Sequence, residues 1–176
     1  MKRIMTKTNR TRFTRMCITD AIISLLQEVD YDKLRVSAIV ERAGIARMTF
    51  YNYYDSPRTA LTDYLSIISD DFARKSSKDY AYLSYEHILF SLNFFDQFRE
   101  YFLTLSRQGL HSIMQDAVNR FMLENIGTED FLSDYALYAY AGGLLNVFLK
   151  WEEDGKSISA EEVADSIYKL YCGALR

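Results

Sequence analysis

The stretch from Val36 to Leu61, VSAIVERAGIARMTFYNYYDSPRTAL, limits what this chain can fold into more than any other part of it. Val36, Ile39, Val40 and Ala43 fall at i, i+3, i+4 and i+7, which places one apolar stripe on a short helix and leaves Ser37, Glu41 and Arg42 wet. Gly44 follows directly. Glycine accepts the left-handed backbone that reverses a chain after a helix, so Ile45 can plug the corner while a second helix crosses the first. Ser56-Pro57 then opens another helix, because proline suits the first helical turn after a serine cap. Two short helices about a tight glycine turn, closed by a third helix start, make a helix-turn-helix.

In the second of these helices Phe50 and Tyr54 are four residues apart and face inward, while Arg47, Met48, Tyr51, Asn52 and Tyr53 point away. That outward face has the chemistry for reading double-stranded DNA: Arg and Asn donate to base edges, and Tyr and Thr hydroxyls reach phosphates. The same letters also fit a tyrosine-rich helix whose aromatics only pack. The stretch by itself leaves both readings open.

The flanks argue for helices throughout. One proline and seven glycines in 176 residues leave long segments unpunctuated, which predicts an all-α chain. A first helix is expected from Arg10 to Val29, with Phe13, Cys17, Ala21 and Leu25 at four-residue steps and Ile18, Ile22, Leu26 and Val29 beside them. Asp30-Tyr31-Asp32-Lys33 is a polar turn, and Lys33 and Arg35 stand at the edge where a duplex backbone would pass. A helix from Ser56 to Lys75 follows, with Arg74-Lys75-Ser76-Ser77-Lys78 as linker.

Beyond the linker, apolar residues recur at three- and four-residue steps from Tyr85 to Gly109, predicting one long buried helix. Three more helices are expected: His111 to Asn125, stopped by Gly127; a segment capped by Thr128 with Glu129 and Asp130 in its first turn, ending at Asp154-Gly155; and a last helix opened by the capping box Ser159-x-x-Glu162, with a stripe of Val163, Ile167, Leu170, Tyr171 and Ala174. The domains read as residues 1–58, a three-helix helix-turn-helix domain, and 59–176, a helical domain for regulation and dimerisation.

A net charge of −3 argues against a nucleic-acid partner, but its distribution argues for one. Up to Ala60 eleven Lys and Arg stand against six Asp and Glu, a balance of +5; from Leu61 onward ten stand against eighteen, a balance of −8. A basic head on an acidic body fits a small DNA-binding domain carried by one that stays off DNA. Cys17 and Cys172, far apart, have no metal or redox spacing and point to a reducing cytoplasm. The basic start, Lys2 and Arg3 included, lacks the apolar run of a secretory signal. The longest uncharged stretch, Tyr135 to Leu149, is short of a membrane span. No membrane partner is expected.

Ala43-Gly44-Ile45, Thr49-Phe50-Tyr51-Asn52-Tyr53-Tyr54 and Asp55-Ser56 resemble the DNA-binding domain of the TetR family of transcriptional regulators. The family pattern is an Ala-Gly-hydrophobic turn, a Thr-Phe/Leu-Tyr-x-x-Phe recognition helix and a closing Ser/Asn-Lys pair. The resemblance implies a homodimer on operator DNA, with Arg47, Thr49, Tyr51, Asn52 and Tyr53 at the duplex and Ser37 contributing from the preceding helix. Met48, Lys33 and Arg35 complete the expected surface. Three positions depart from the pattern. Ala46 replaces a polar helix cap, at a cost of roughly 1 kcal/mol; Pro57 replaces a phosphate-binding Lys, a contact that falls to Arg58; and Ala60-Leu61 shifts the usual leucine by one.

In the second domain Ala141-Gly142-Gly143 gives up about 1 kcal/mol of helix propensity per glycine, which a close helix approach explains. Either a second subunit or another helix of the same chain could make that approach; the resemblance to regulators that pair through their last two helices favours a subunit interface of Gly142, Gly143, Leu145, Phe148, Ile167, Leu170 and Tyr171. Phe94, Phe95, Phe98, Phe102, Phe121 and Tyr138 are candidates to line a ligand pocket, or else form plain core. The run Ala141-Gly142-Gly143-Leu144-Leu145, Lys150-Trp151 and Asp154-Gly155 resembles a TetR subgroup typified by the regulator of the dihydroxyacetone kinase operon, in which the effector can be a protein. No phosphate-cradling glycine loop, HExxH, paired cysteine or Gly-x-Ser-x-Gly is present, so no enzyme, cofactor or metal site is expected; His87 and His111 are the only histidines. The expected function is a cytoplasmic DNA-binding regulator, most simply a repressor, controlled by a small molecule or a protein partner. The alternative is a helical co-regulator that keeps the fold and works through protein contacts.

Overall fold

The computed structural model describes residues 7–76, 84–126 and 134–173. Every regular element among them is a helix: α1 Lys7–Leu25, α2 Val36–Ala43, α3 Arg47–Tyr51, α4 Pro57–Lys75, α5 Tyr85–Asp96, α6 Arg99–Arg107, α7 His111–Ile126, α8 Asp134–Glu153 and α9 Ala160–Gly173, with one 3-10 turn at Tyr31–Lys33. None of the described helices is long and apolar enough to cross a membrane. Two compact units divide between Ile67 and Ile68, inside α4. The expected cap at Thr128, Glu129 and Asp130, the linker's Ser77 and Lys78, and Ala174 lie outside the described residues.

The first unit is built on Ile18, Ile22, Ile39, Phe50 and Leu61, none of them measurably exposed. α1 differs from expectation at both ends. It stops at Leu25, after which Gln27 and Glu28 donate back to Ser24 and Leu25 in tight three-residue turns, and Arg42 on α2 bonds Ser24 and Glu28. The periodic stripe also runs past the core: Phe13 is 59% and Val29 38% exposed, and Cys17 is half-buried, because the stripe is longer than the surface available to cover it. α2 ends as its glycine predicts. Gly44 takes φ +64°, and Ile45 N–H donates to the Val40 carbonyl at 3.0 Å, a closure open to few residues other than glycine. α4 opens on a reciprocal cap: Thr59 N–H donates to Ser56 Oγ at 3.2 Å, and Ser56 N–H to Thr59 Oγ1 at 3.1 Å.

In the second unit the helix expected over Tyr85 to Gly109 is two helices. The chain turns at Gln97 and Phe98, whose N–H groups donate to Phe94 and Phe95. No Gly or Pro marks the break. Packing makes it: a straight helix of that span would carry its apolar rows past their neighbours, whereas the bend lays α5 on α9 and α6 on α8. It also closes an ion cluster at the corner. The Glu152 carboxylate is wholly buried with Arg99 Nε 2.8 Å from Oε2 and Lys156 Nζ 3.8 Å from Oε1, and Lys156 also pairs with Asp96. Burial, with Asp96 nearby, holds the Glu152 carboxyl above the usual range, and the two cations oppose that shift.

Phe72, near the end of α4, sits at the centre of the aromatic set. Its ring centroid is 5.2 Å from Phe94, 5.1 Å from Phe95 and 5.3 Å from Phe121, with His87 edge-on at 5.8 Å. Phe98 and Phe102 extend the same cluster. Rings at such distances touch, so these five candidates form one aromatic cluster, with Phe94 and Phe102 buried and Phe95, Phe98 and Phe121 half-buried. Tyr138 is instead exposed.

Of the two glycines of α8, Gly143 is explained within the chain. A Cβ on Gly143 would stand 2.4 Å from the Tyr171 hydroxyl of α9, and one on Gly142 would meet Gln115 of α7 at an ordinary 3.8 Å. The close approach is therefore an intrachain crossing at Gly143. Tyr171 completes it by stacking edge-on to Tyr140 at 5.0 Å and donating to the Ala139 carbonyl at 3.4 Å. Leu145, Phe148 and Ile167 are buried in this same interior, whereas Leu170 is 66% exposed.

Candidate nucleic-acid interface

α3 is five residues long, about a turn and a half. Ala46 enters it in extended conformation with no side-chain hydrogen bond, as expected from the missing polar cap. The helix ends at Tyr51, sooner than expected, so Asn52, Tyr53 and Tyr54 follow in a turn. Too short and too poorly capped to hold itself, the segment is fixed by what it buries: Phe50 is fully enclosed and Tyr54 nearly so, with their rings edge-on at 6.1 Å. The opposite face is open. Arg47, Met48, Tyr51, Asn52 and Tyr53 are all exposed, Met48 by 70%, and Thr49 is half-buried.

Part of that face is pre-arranged. The Arg47 guanidinium lies 5.7 Å from the Tyr51 ring centroid and donates to its hydroxyl at 3.4 Å, so a cation and a phenol are presented together. Phe50 packs edge-on to Tyr51 from behind at 5.5 Å. Ser37 on α2, Arg35 at its cap and Arg58 in the first turn of α4 are exposed as well. Lys33, also exposed, is paired with Asp30 at 2.7 Å, which raises the lysine pKa through that bond. A duplex phosphate would compete with Asp30 for it.

One feature of this site is not apparent from residue spacing. Tyr54, at the position where the family pattern has Phe, carries a hydroxyl, and that hydroxyl donates to Asp63 Oδ2 at 2.7 Å. Arg15 Nε donates to the same oxygen at 2.8 Å, and its terminal nitrogen pairs with Oδ1. Only the tyrosine-for-phenylalanine exchange, with an acid two turns into α4 and an arginine on α1, signals the network in sequence.

Elsewhere, Ser106 Oγ is hydrogen-bonded to His111 Nε2 at 3.1 Å and donates to Glu153 Oε1 at 3.2 Å. The carboxylate holds the serine and not the far imidazole nitrogen, so the three do not make a proton relay of the nucleophilic kind.

Residues 18–58 match the family of bacterial regulatory proteins called tetR. No curated protein matches the chain. Among solved structures, a TetR transcriptional regulator from Streptococcus agalactiae 2603V is 20% identical with a TM-score of 0.65, covering 93% of this chain and 96% of its own. FadR from Bacillus subtilis, in complex with stearoyl-CoA, is 16% identical with a TM-score of 0.58, covering 88% and 96%. The dihydroxyacetone kinase operon activator DhaS is 21% identical with a TM-score of 0.52, covering 92% and 95%. Residues 18–58 are thus similar to the tetR family of bacterial regulatory proteins, and the chain as a whole shares the all-helical fold of solved TetR regulators.

Proposed function

We propose that the protein binds operator DNA as a homodimer, represses transcription, and is released by an effector acting on the second unit. The observation that carries the reading is the sidedness of α3 and the turn after it: Phe50 and Tyr54 are buried while Arg47, Met48, Tyr51, Asn52 and Tyr53 stand exposed. Two copies reading successive major grooves would set their α3 helices roughly 34–36 Å apart. The partner subunit is expected on the outer face of α8 and α9, where Asn146, Val147, Lys150, Ile158, Ser166 and Leu170 border an open groove of about 370 Å³. On this reading the interface runs beside Gly142 and Gly143, while the close contact at Gly143 belongs to Tyr171 of the same chain.

Control runs through the aromatic unit, and α4, whose last turns carry Phe72, is the element it shares with the DNA-binding unit. The FadR neighbour's complex with stearoyl-CoA makes an apolar chain one candidate effector, and the aromatic cluster offers the apolar surroundings for it. A protein partner of the second unit is the other candidate. A gel-shift with DNA from upstream of the protein's own gene, repeated at several salt concentrations, tests the reading. Binding that weakens with salt yet stays selective over unrelated duplex supports it; equal affinity for both duplexes supports the co-regulator alternative, which the uncapped α3 favours.

A further inference from the structure

Three elements of the first unit meet at one carboxylate. Asp63 on α4 accepts from Arg15 of α1 through both oxygens, and from the Tyr54 hydroxyl at 2.7 Å on the oxygen that also takes Arg15 Nε. Arg15 Nε is also within 3.3 Å of the Tyr54 oxygen, which closes the triangle. The Tyr54 ring is buried against Phe50, whereas the Arg15 and Asp63 side chains remain about a quarter to a third exposed. Burial, then the bond to Asp63, raises the Tyr54 phenol above its ordinary value, so it stays a donor at any working pH.

The position of Tyr54 gives this triangle its consequence. Tyr51, Asn52 and Tyr53, three of the five outward residues, lie directly before it, and α3 has neither length nor cap to fix its own rotation. Phe50 anchors the segment by apolar burial, which has no preferred direction; Tyr54 anchors it by a directional bond to a charged acceptor. We infer that Tyr54, Asp63 and Arg15 are positioning residues that set the orientation of α3 on DNA and thereby govern discrimination between sequences. The inference rests on the DNA-binding reading above.

The test uses the full-length protein and a duplex enriched from a randomised library by the wild-type chain, compared with a scrambled duplex of equal length. Tyr54→Phe removes one hydroxyl from a ring that stays buried, and Asp63→Asn keeps the acceptor's shape without its charge. Each should lower affinity for the enriched duplex about five- to tenfold, the weight of one such bond, while affinity for the scrambled duplex falls by less and the salt slope holds, because Lys33, Arg35 and Arg58, the cations expected at phosphates, lie outside the segment that Tyr54 orients. The double variant should lose less than the product of the two single losses, since both break the same bond. A merely stabilising role would lower the melting temperature and leave the ratio of the two affinities unchanged; that result in Tyr54→Phe overturns the inference alone. Failure of the wild-type chain to enrich any sequence overturns the DNA reading and this inference with it.

Discussion

His87 is a histidine placed where it cannot readily be charged. It is buried in α5 beside Phe72, and burial alone lowers its pKa below the usual value. The unfolded chain takes up a proton at this residue near pH 6.5 and the folded chain resists it, so folding stability is indifferent to His87 above that pH and declines below it. Thermal unfolding followed from pH 7.5 down to about 5 should show this decline, and His87→Leu should flatten it; an identical profile in the variant would mean the ring is protonated in the fold at no cost. Sequence alone could only say that a single histidine on an apolar helix tends to be packed. It could not say which aromatic enclosed it, because Phe72 comes from another helix. Ala46, by contrast, was legible at once: a non-polar residue at a cap position leaves donors unmet, and the structure has no side-chain bond there. Ala46→Ser should therefore raise stability by roughly 1 kcal/mol in denaturant unfolding.

Elements followed from periodicity wherever a local signal ended them. α2 stops at Gly44, α4 starts at Ser56-Pro57, and α9 opens on a capping box in which Glu162 accepts from Ser159 N–H at 2.9 Å and Ser159 Oγ accepts from Glu162 N–H at 3.2 Å. The break between α5 and α6 has no such signal and was not legible, since its cause is the packing of α5 on α9 and α6 on α8. The crossing of α8 and α9 is a middle case: the glycines announced a close approach but not its partner. With the Tyr171 hydroxyl 2.4 Å from where a Cβ would stand, Gly143→Ala should destabilise the protein by about 1–3 kcal/mol through overpacking. Tyr171→Phe in the same chain should restore most of that loss, because the ring carbon behind the hydroxyl is at an ordinary 3.7 Å. Denaturant unfolding of the two single variants and the double variant measures the coupling. Purely additive losses would mean that another contact limits Gly143.

At the scale of the whole molecule, α4 runs through both units. It carries Asp63, which holds the segment bearing the side chains proposed to read DNA, and Phe72, which centres the aromatic cluster of the second unit. An effector that binds that cluster must favour one arrangement of the protein over another to have any influence on DNA. A long-chain acyl-CoA tested in a thermal-shift assay should thus raise the melting temperature and weaken DNA binding together, and stabilisation without release would remove it as an effector. The central claim is narrower and more directly measured: the exposed face of α3 reads DNA. Affinities of the wild-type chain, Arg47→Ala and Tyr51→Phe for the enriched duplex, with helicity and dimerisation checked in parallel, decide it. Each substitution should cost on the order of 1–3 kcal/mol in binding while the fold and assembly stay intact; wild-type affinity in both variants would contradict the account.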